Sequence, residues 1–448
     1  MATQLPTTLE DWLAYQAQVH PRAIELGLVR LRAVLERLGF RRPAVPVITV
    51  AGTNGKGSVV ATSSAILTAA GYRVGVFSSP HLRDYRERIR LGERLVDEAE
   101  LLWAFERIER ARGDIGLTFF EYNTLAALLI FEAARLDAWV LEIGMGGRLD
   151  AVNAIDADVA VVVSIGFDHQ QYLGDTLEAI GREKAGIFRA GRPAVLGGRT
   201  LPDSVLAAAL EVGAHPKRIG VDYEVERGAG GWRFRGRHWD LAGLPPSGLR
   251  GDTQFDNAAT ALAALEELGS RLAPSADAVA RGLRAVRLPG RFQVIEDPAA
   301  GRPVWILDVA HNPDAARVLA HNLAALPARG RTLAICGVLA DKDAAAVVAE
   351  LAASVDRWWF VSTEGERGQS GAALAARAGR AVGDGAATAE SIAAACEAAR
   401  REAADGDRIV VFGSFHVVGP ALEWLEQEGV LPTIAASAYT AAPRGMEA

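Results

Sequence analysis

Two hydrophobic rhythms alternate along this chain. IELGLVRLRAVLERLG (Ile24–Gly39) spaces its apolar residues three and four apart and ends on glycine, which predicts a helix. VPVITVAG (45–52) is short, β-branched and free of charge, the pattern of a buried strand. The alternation then continues: helix at SVVATSSAILTAAGY (58–72), strand at RVGVF (73–77), helices at 97–112 and 123–136. Strands follow at AWVLEIG (138–144) and DADVAVVVSIG (156–166), and a helix at TLEAIGREKAGIF (176–188).

Residues 218–250 break this rhythm, and YEVERGAGGWRFRG reads as a hairpin turning at GAGG. Helices are predicted at 256–269 and 276–286, after which RLPGRF (287–292) carries the breaker pair Pro289-Gly290. A second strand-helix alternation begins at PVWILDVA and passes through RTLAICGV, RWWFVST and RIVVFGS. The expected fold is α/β: a P-loop-type, mostly parallel sheet domain flanked by helices (1–290), then a smaller Rossmann-like α/β domain (291–432). A loose tail is expected over 433–448.

Composition narrows the function classes. Half of the 448 residues are hydrophobic, yet no apolar run approaches the roughly 18–20 residues of a membrane span. The N-terminus has no basic region followed by an apolar one, and Cys336 and Cys396 lack metal spacing. The expectation is a cytoplasmic, monomeric protein without a membrane partner. Net charge is −7 with no long basic run, so nucleic acid is a poor partner. Only Lys56, Lys184, Lys217 and Lys342 are lysines among 48 basic residues. Where arginine is this dominant, a retained lysine points to chemistry that arginine cannot perform.

Directly after the first predicted strand stands GTNGKGS (52–58). A strand, a glycine-rich turn with lysine and serine, then a helix is a phosphate-cradling arrangement. Lys56 would neutralise terminal phosphates and Ser58 would offer its hydroxyl to Mg2+ or to phosphate. The spacing departs from GxxxxGKS, because the loop is shorter and Gly57 separates the lysine from the hydroxyl residue. The bland alternative is a glycine turn with one solvated lysine.

That loop resembles the nucleotide loop of the Mur ligase superfamily. SSPHLRDYRERI (78–89), LEIGMGGRLDAVN (141–153), SIGFDHQQYLG (164–174), IGREKAGI (180–187), LPGRFQ (288–293), LDVAHNPDAA (307–316), DKD (341–343) and GSFH (413–416) are similar to dihydrofolate synthase/folylpolyglutamate synthase, in that family's order. The resemblance implies an ATP-dependent ligase that activates the carboxylate of dihydropteroate or folate as an acyl phosphate. L-glutamate then captures it as an amide. It implies two Mg2+ ions and raises a monovalent cation.

Residue by residue, the resemblance assigns ATP to Thr53, Asn54, Gly55, Lys56, Gly57, Ser58, Asn257, Arg291 and Asp308. Ser79, Glu142 and His169 would be metal ligands, although histidine is an unusual partner for Mg2+. Phe119, Phe120, Glu121, Leu149, Asp150 and Ala151 would line a pterin or folate site. Arg88, His311 and Ser414 would hold glutamate. Lys184, His311 and Lys56 would carry the chemistry, with Lys184 carbamylated on an amine that arginine cannot supply. Each residue also has an ordinary reading: Glu142 as a loop cap, His169 as a capping or core histidine, Lys184 as a solvated neighbour of Glu183. Likewise the paired phenylalanines read as core, Arg88 as a solvated arginine and Asn312 as a helix cap. Two rival readings are a Mur-type ligase acting on a nucleotide-linked cell-wall precursor and a nucleotide-binding protein without ligase chemistry. The former would need a further N-terminal domain, for which too little chain precedes the loop.

Overall fold

The computed structural model describes residues 5–431 except 229, 298–301, 327–328, 366, 380–381 and 383–385. The expected tail at 433–448 lies outside the described residues.

Eight strands form the first sheet: β1 (Val47–Ala51), β2 (Val74–Phe77), β3 (Ile89–Leu91), β4 (Arg94–Leu95), β5 (Ala138–Glu142), β6 (Val159–Val162), β7 (Pro193–Leu196) and β8 (His215–Arg218). Their order is β4-β3-β2-β5-β1-β6-β7-β8, and all pairings are parallel except β2–β3 and β3–β4. β1 is therefore central, between β5 and β6, and is buried along its whole length. Its side chains alternate between two apolar clusters. Val47 and Ala51 join Trp12, Phe105 and Leu128 on one face, while Ile48 and Val50 join Ile66, Leu262 and Val279 on the other. Cover on both faces explains why these strands read as uninterrupted apolar runs.

The hairpin expected over 223–236 forms as β9 (Glu224–Gly228) and β10 (Gly231–Arg235), and β11 (Asp240–Leu244) adds a third antiparallel strand. Trp232 and Phe234 pack this small sheet onto the second face of the large one. Glu266 fastens it by accepting from the backbone N–H groups of His238 at 2.7 Å and Arg237 at 3.2 Å.

Beyond residue 290 the third sheet contains β12 (Gln293–Glu296), β13 (Val304–Asp308), β14 (Thr332–Cys336), β15 (Arg357–Val361), β16 (Ala386–Ala389) and β17 (Arg408–Phe412). The order is β12-β13-β17-β14-β15-β16, parallel except for β12 against β13. Separate apolar clusters cover its two faces. In RLPGRF, Gly290 (φ 69°) and Phe292 (φ 43°) both take the left-handed conformation. Phe292 is strained in that conformation, and its N–H donates to the Asp308 carboxylate at 2.8 Å.

One helix differs from its pattern. The run Ile24–Gly39 is helical only over Val29–Arg37. Gly27 (φ 154°) donates its N–H to the Leu149 carbonyl at 3.0 Å, a tertiary bond that pulls residues 24–27 out of the helix and along the cleft wall.

Candidate active site

Every residue assigned a ligand or catalytic role above lines one cleft of about 1390 Å³. Its floor is the carboxyl ends of the central strands, where ligands of open parallel sheets bind.

The glycine loop joins β1 to the helix Lys56–Ala69, with Gly55 (φ 86°) at its N-cap. A side chain on Gly55 would meet Asn257 Oδ1 and Val163 Cγ1 at 2.8 Å. Thr53 Oγ1 accepts from the Gly166 N–H at 3.0 Å and donates to its carbonyl at 3.1 Å. Ser164 Oγ binds the Asn54 N–H and carbonyl, both at 2.9 Å. The loop is thus stitched to the segment that follows β6. Ser58 is buried in the first helical turn.

Lys56 Nζ donates to the carbonyls of Gly52 at 3.0 Å and Thr53 at 3.2 Å. Lys184 Nζ donates to that same Gly52 oxygen at 3.0 Å. Lys184 is 5% exposed, so its tip is not in solvent. Burial, reinforced by the Lys56 charge, lowers its pKa to about 7. Burial also lowers that of Lys56, against the pull of Glu142 and Asp168.

Glu142 ends β5 and is buried. Burial raises its pKa, opposed by Lys56 and Arg291, and its Oε2 accepts from the Ser79 N–H at 3.4 Å. His169 (φ 51°) caps the short helix Gln170–Leu173 without a side-chain cap bond, and its ring Nε2 lies 3.8 Å from Asp168 Oδ1. Burial keeps that ring neutral, with a pKa of about 4. Among the described residues no three His, Cys, Asp or Glu side chains cluster as a metal site. Yet a buried carboxylate with one long protein partner, a serine hydroxyl and a neutral imidazole fit a divalent ion that takes its remaining ligands from water and phosphate.

Elsewhere along the cleft, Thr118 and Glu121 form a capping box at the start of the helix Phe119–Ala133. Glu121 also pairs with Arg30 at 3.2 Å, so its carboxylate is already engaged. Phe119 and Phe120 open that helix at the cleft, where Phe120 lies 5.8 Å from the Phe77 ring and Phe119 lies 6.1 Å from Tyr85. Asp150 accepts from the N–H groups of Met145 at 2.9 Å and Val152 at 3.0 Å, and burial lifts its pKa to about 7. Leu149 and Ala151 flank it. Arg88 is buried, donates Nε to His81 Nδ1 at 2.7 Å, and lies 5.6 Å from the Phe119 ring. Burial keeps His81 neutral, at about 4, which is the form that can accept this bond.

From beyond the joint, Arg291 stacks on Phe415 at 5.3 Å and brings Nη2 to the glycine loop, 3.9 Å from where a Gly57 Cβ would be. Asp308 accepts from the Phe292 and Ala310 N–H groups, each at 2.8 Å. Asn257 donates to Gln254 Oε1 at 3.1 Å. His311 Nδ1 lies 2.8 Å from the Val309 carbonyl. Asn312 caps the helix Pro313–Ala325 and also exchanges amide hydrogen bonds with Asn54 at 3.0 and 3.1 Å. Ser414 caps the helix Phe415–Gln427. Among the described residues, no carboxylate is hydrogen-bonded to Lys56, Lys184, Arg88 or Arg291. Basic groups gathered at the glycine loop with no hydrogen-bonded carboxylate suit a phosphate-bearing ligand.

Two matches identify the architecture: residues 50–196 match the Mur ligase middle domain, and residues 290–415 match the Mur ligase glutamate ligase domain. The chain is 44% identical over 423 residues to the dihydrofolate synthase/folylpolyglutamate synthase of Escherichia coli (strain K12), covering 94% of this chain and 97% of the relative. The chain belongs to the dihydrofolate synthase/folylpolyglutamate synthase family.

The Haemophilus influenzae member is 39% identical, covering 93% of this chain and 98% of its own. Among solved structures, E. coli FolC in complex with DHPP and ADP superposes with a TM-score of 0.89 at 44% identity, covering 96% of this chain and all of that one. A family structure with Mn, AMPPNP and L-glutamate bound gives 0.87 at 43% identity, covering 95% and 100%. Motif reading passed over Asp168 and Lys342 as site residues, although DKD and the scarcity of lysine both drew attention to Lys342. The structure pairs the two in the lining of the cleft.

Proposed function

We propose that the protein is an ATP-dependent ligase that adds L-glutamate to dihydropteroate and to reduced folates through an acyl phosphate, acting as a cytoplasmic monomer. Among the described residues no helix is long and apolar enough to cross a membrane. The observation that carries the reading is the convergence of Lys56, Lys184 and, from beyond the joint, Arg291 on one glycine loop.

The loop's backbone N–H groups and Lys56 would cradle the ATP phosphates, with Arg291, Asn257 and Asp308 holding the nucleotide from the far wall. Ser79, Glu142 and His169 would hold a divalent ion, which when bound neutralises charge where two anions must meet. Lys184, whose pKa burial lowers to about 7, offers the cleft an amine able to take up CO2 as a carbamate. Phe119 and Phe120 offer aromatic faces to a pterin beside Asp150. Arg88, whose Nη groups make no hydrogen bond among the described residues, would take a carboxylate of the incoming glutamate, with His311 and Ser414 lining the same cleft.

The test is phosphate release with ATP, Mg2+ and L-glutamate, supplied separately with dihydropteroate and with tetrahydrofolate. Both acids should support release that depends on glutamate. Release with one acid alone would reduce the function to that activity, and release with neither would overturn it.

A further inference from the structure

We propose that Asp168 is a positioning residue for the ligase step: its carboxylate is the seat on the nucleotide-binding unit into which Lys342 and His311 of the C-terminal unit dock. The inference rests on the function proposed above. Asp168 Oδ1 accepts from Lys342 Nζ and from the His169 N–H at 2.9 Å, and Oδ2 lies 3.3 Å from His311 Nε2. The Lys342 side chain is 7% exposed and that of Asp168 9%. Asp341, at 3.8 Å from Lys342, is the other carboxylate nearby. Oδ1 of Asp168 thus takes two protein donors, from Lys342 and from the backbone of His169, while Oδ2 faces the His311 ring.

The position of the pair gives it a role beyond joining two surfaces. Asp168 ends the segment Ser164–Asp168, whose start is stitched to Thr53 and Asn54 of the phosphate loop. The same segment packs against the C-terminal unit at Gly166, where a Cβ would lie 2.3 Å from Asp314 Oδ2. Through its bond to the His169 N–H, Asp168 also holds the left-handed turn that presents the His169 ring. One carboxylate thus sets three elements in a common register: the phosphate loop, the His169 turn and His311. Removing either member of a buried pair leaves the other charge uncompensated, so docking should fail from either side.

The experiment measures turnover in Asp168→Asn, Lys342→Met, Lys342→Arg and the double variant Asp168→Asn/Lys342→Met, with small-angle scattering in AMPPNP and Mg2+. Each neutralising single variant should lose about tenfold or more in kcat while KM for ATP stays within about twofold. The double variant should be no slower than the slower single one. Lys342→Arg should recover most of the loss and scatter like wild type, whereas Asp168→Asn and Lys342→Met should show a larger radius of gyration. Effects that multiply in the double variant overturn the proposal, as does unchanged kcat with only a lowered melting temperature, or unchanged scattering. Because scattering reads docking without turnover, a wild type inactive on both pterin acids would fail the functional reading separately.

Discussion

Lys56 and Lys184 donate to one and the same carbonyl oxygen, that of Gly52, each at 3.0 Å. Two ammonium groups on one neutral acceptor repel each other in a desolvated place, which a fold tolerates where an anion is to be received. The repulsion adds to burial in depressing the pKa of Lys184.

Lys184→Arg should abolish ligase activity, by about a hundredfold or more, because a guanidinium keeps its charge and cannot form a carbamate. Native mass measurement should show a CO2 adduct on wild type that this variant lacks. Stability should respond to pH as well. A lysine whose pKa falls from 10.5 to about 7 on folding binds fewer protons in the folded chain between those values. The unfolding free energy therefore rises with pH across that window. Urea denaturation at pH 7 and pH 9 should show a gain in wild type that Lys184→Met lacks.

Arg291→Ala should weaken ATP by about tenfold to a hundredfold, the usual range for losing a charge-assisted contact. Dihydropteroate affinity should stay near wild type, since the arginine sits at Gly57 and Phe415, away from the paired phenylalanines. Equilibrium titrations with each ligand check the split.

Asn54 and Asn312 form an amide link across the joint. Asn312→Ala should cost about 1 kcal/mol of stability through loss of the helix cap. In kcat/KM for ATP, Asn54→Ala and Asn312→Ala should be less than additive in the double variant, because each removes the same reciprocal bonds. Additive losses would show that the two amides act independently.

Gly144→Ala would place a methyl group 2.5 Å from Phe120 Cζ. The ring must shift, so KM for dihydropteroate should rise severalfold while KM for ATP does not change. Equal effects on both substrates would place Phe120 outside the pterin site.

The apolar runs, the hairpin at GAGG and the glycine loop after β1 were legible because each is written in neighbouring residues. A strand buried on both faces must be apolar throughout, and a phosphate turn needs glycine at positive φ. The edge strands β4, β8 and β16 carry no such pattern, since a short strand at a sheet's margin is only partly covered. Helix formation at 24–27 was decided elsewhere, by the bond from Gly27 to Leu149. The partners that complete the cleft were decided only by folding: Asp168 meets Lys342 across 174 residues and Asn54 meets Asn312 across 258. Periodicity records which side of an element is buried. Which buried charge faces which depends on how two separately folded sheets close on each other, and no local pattern encodes that.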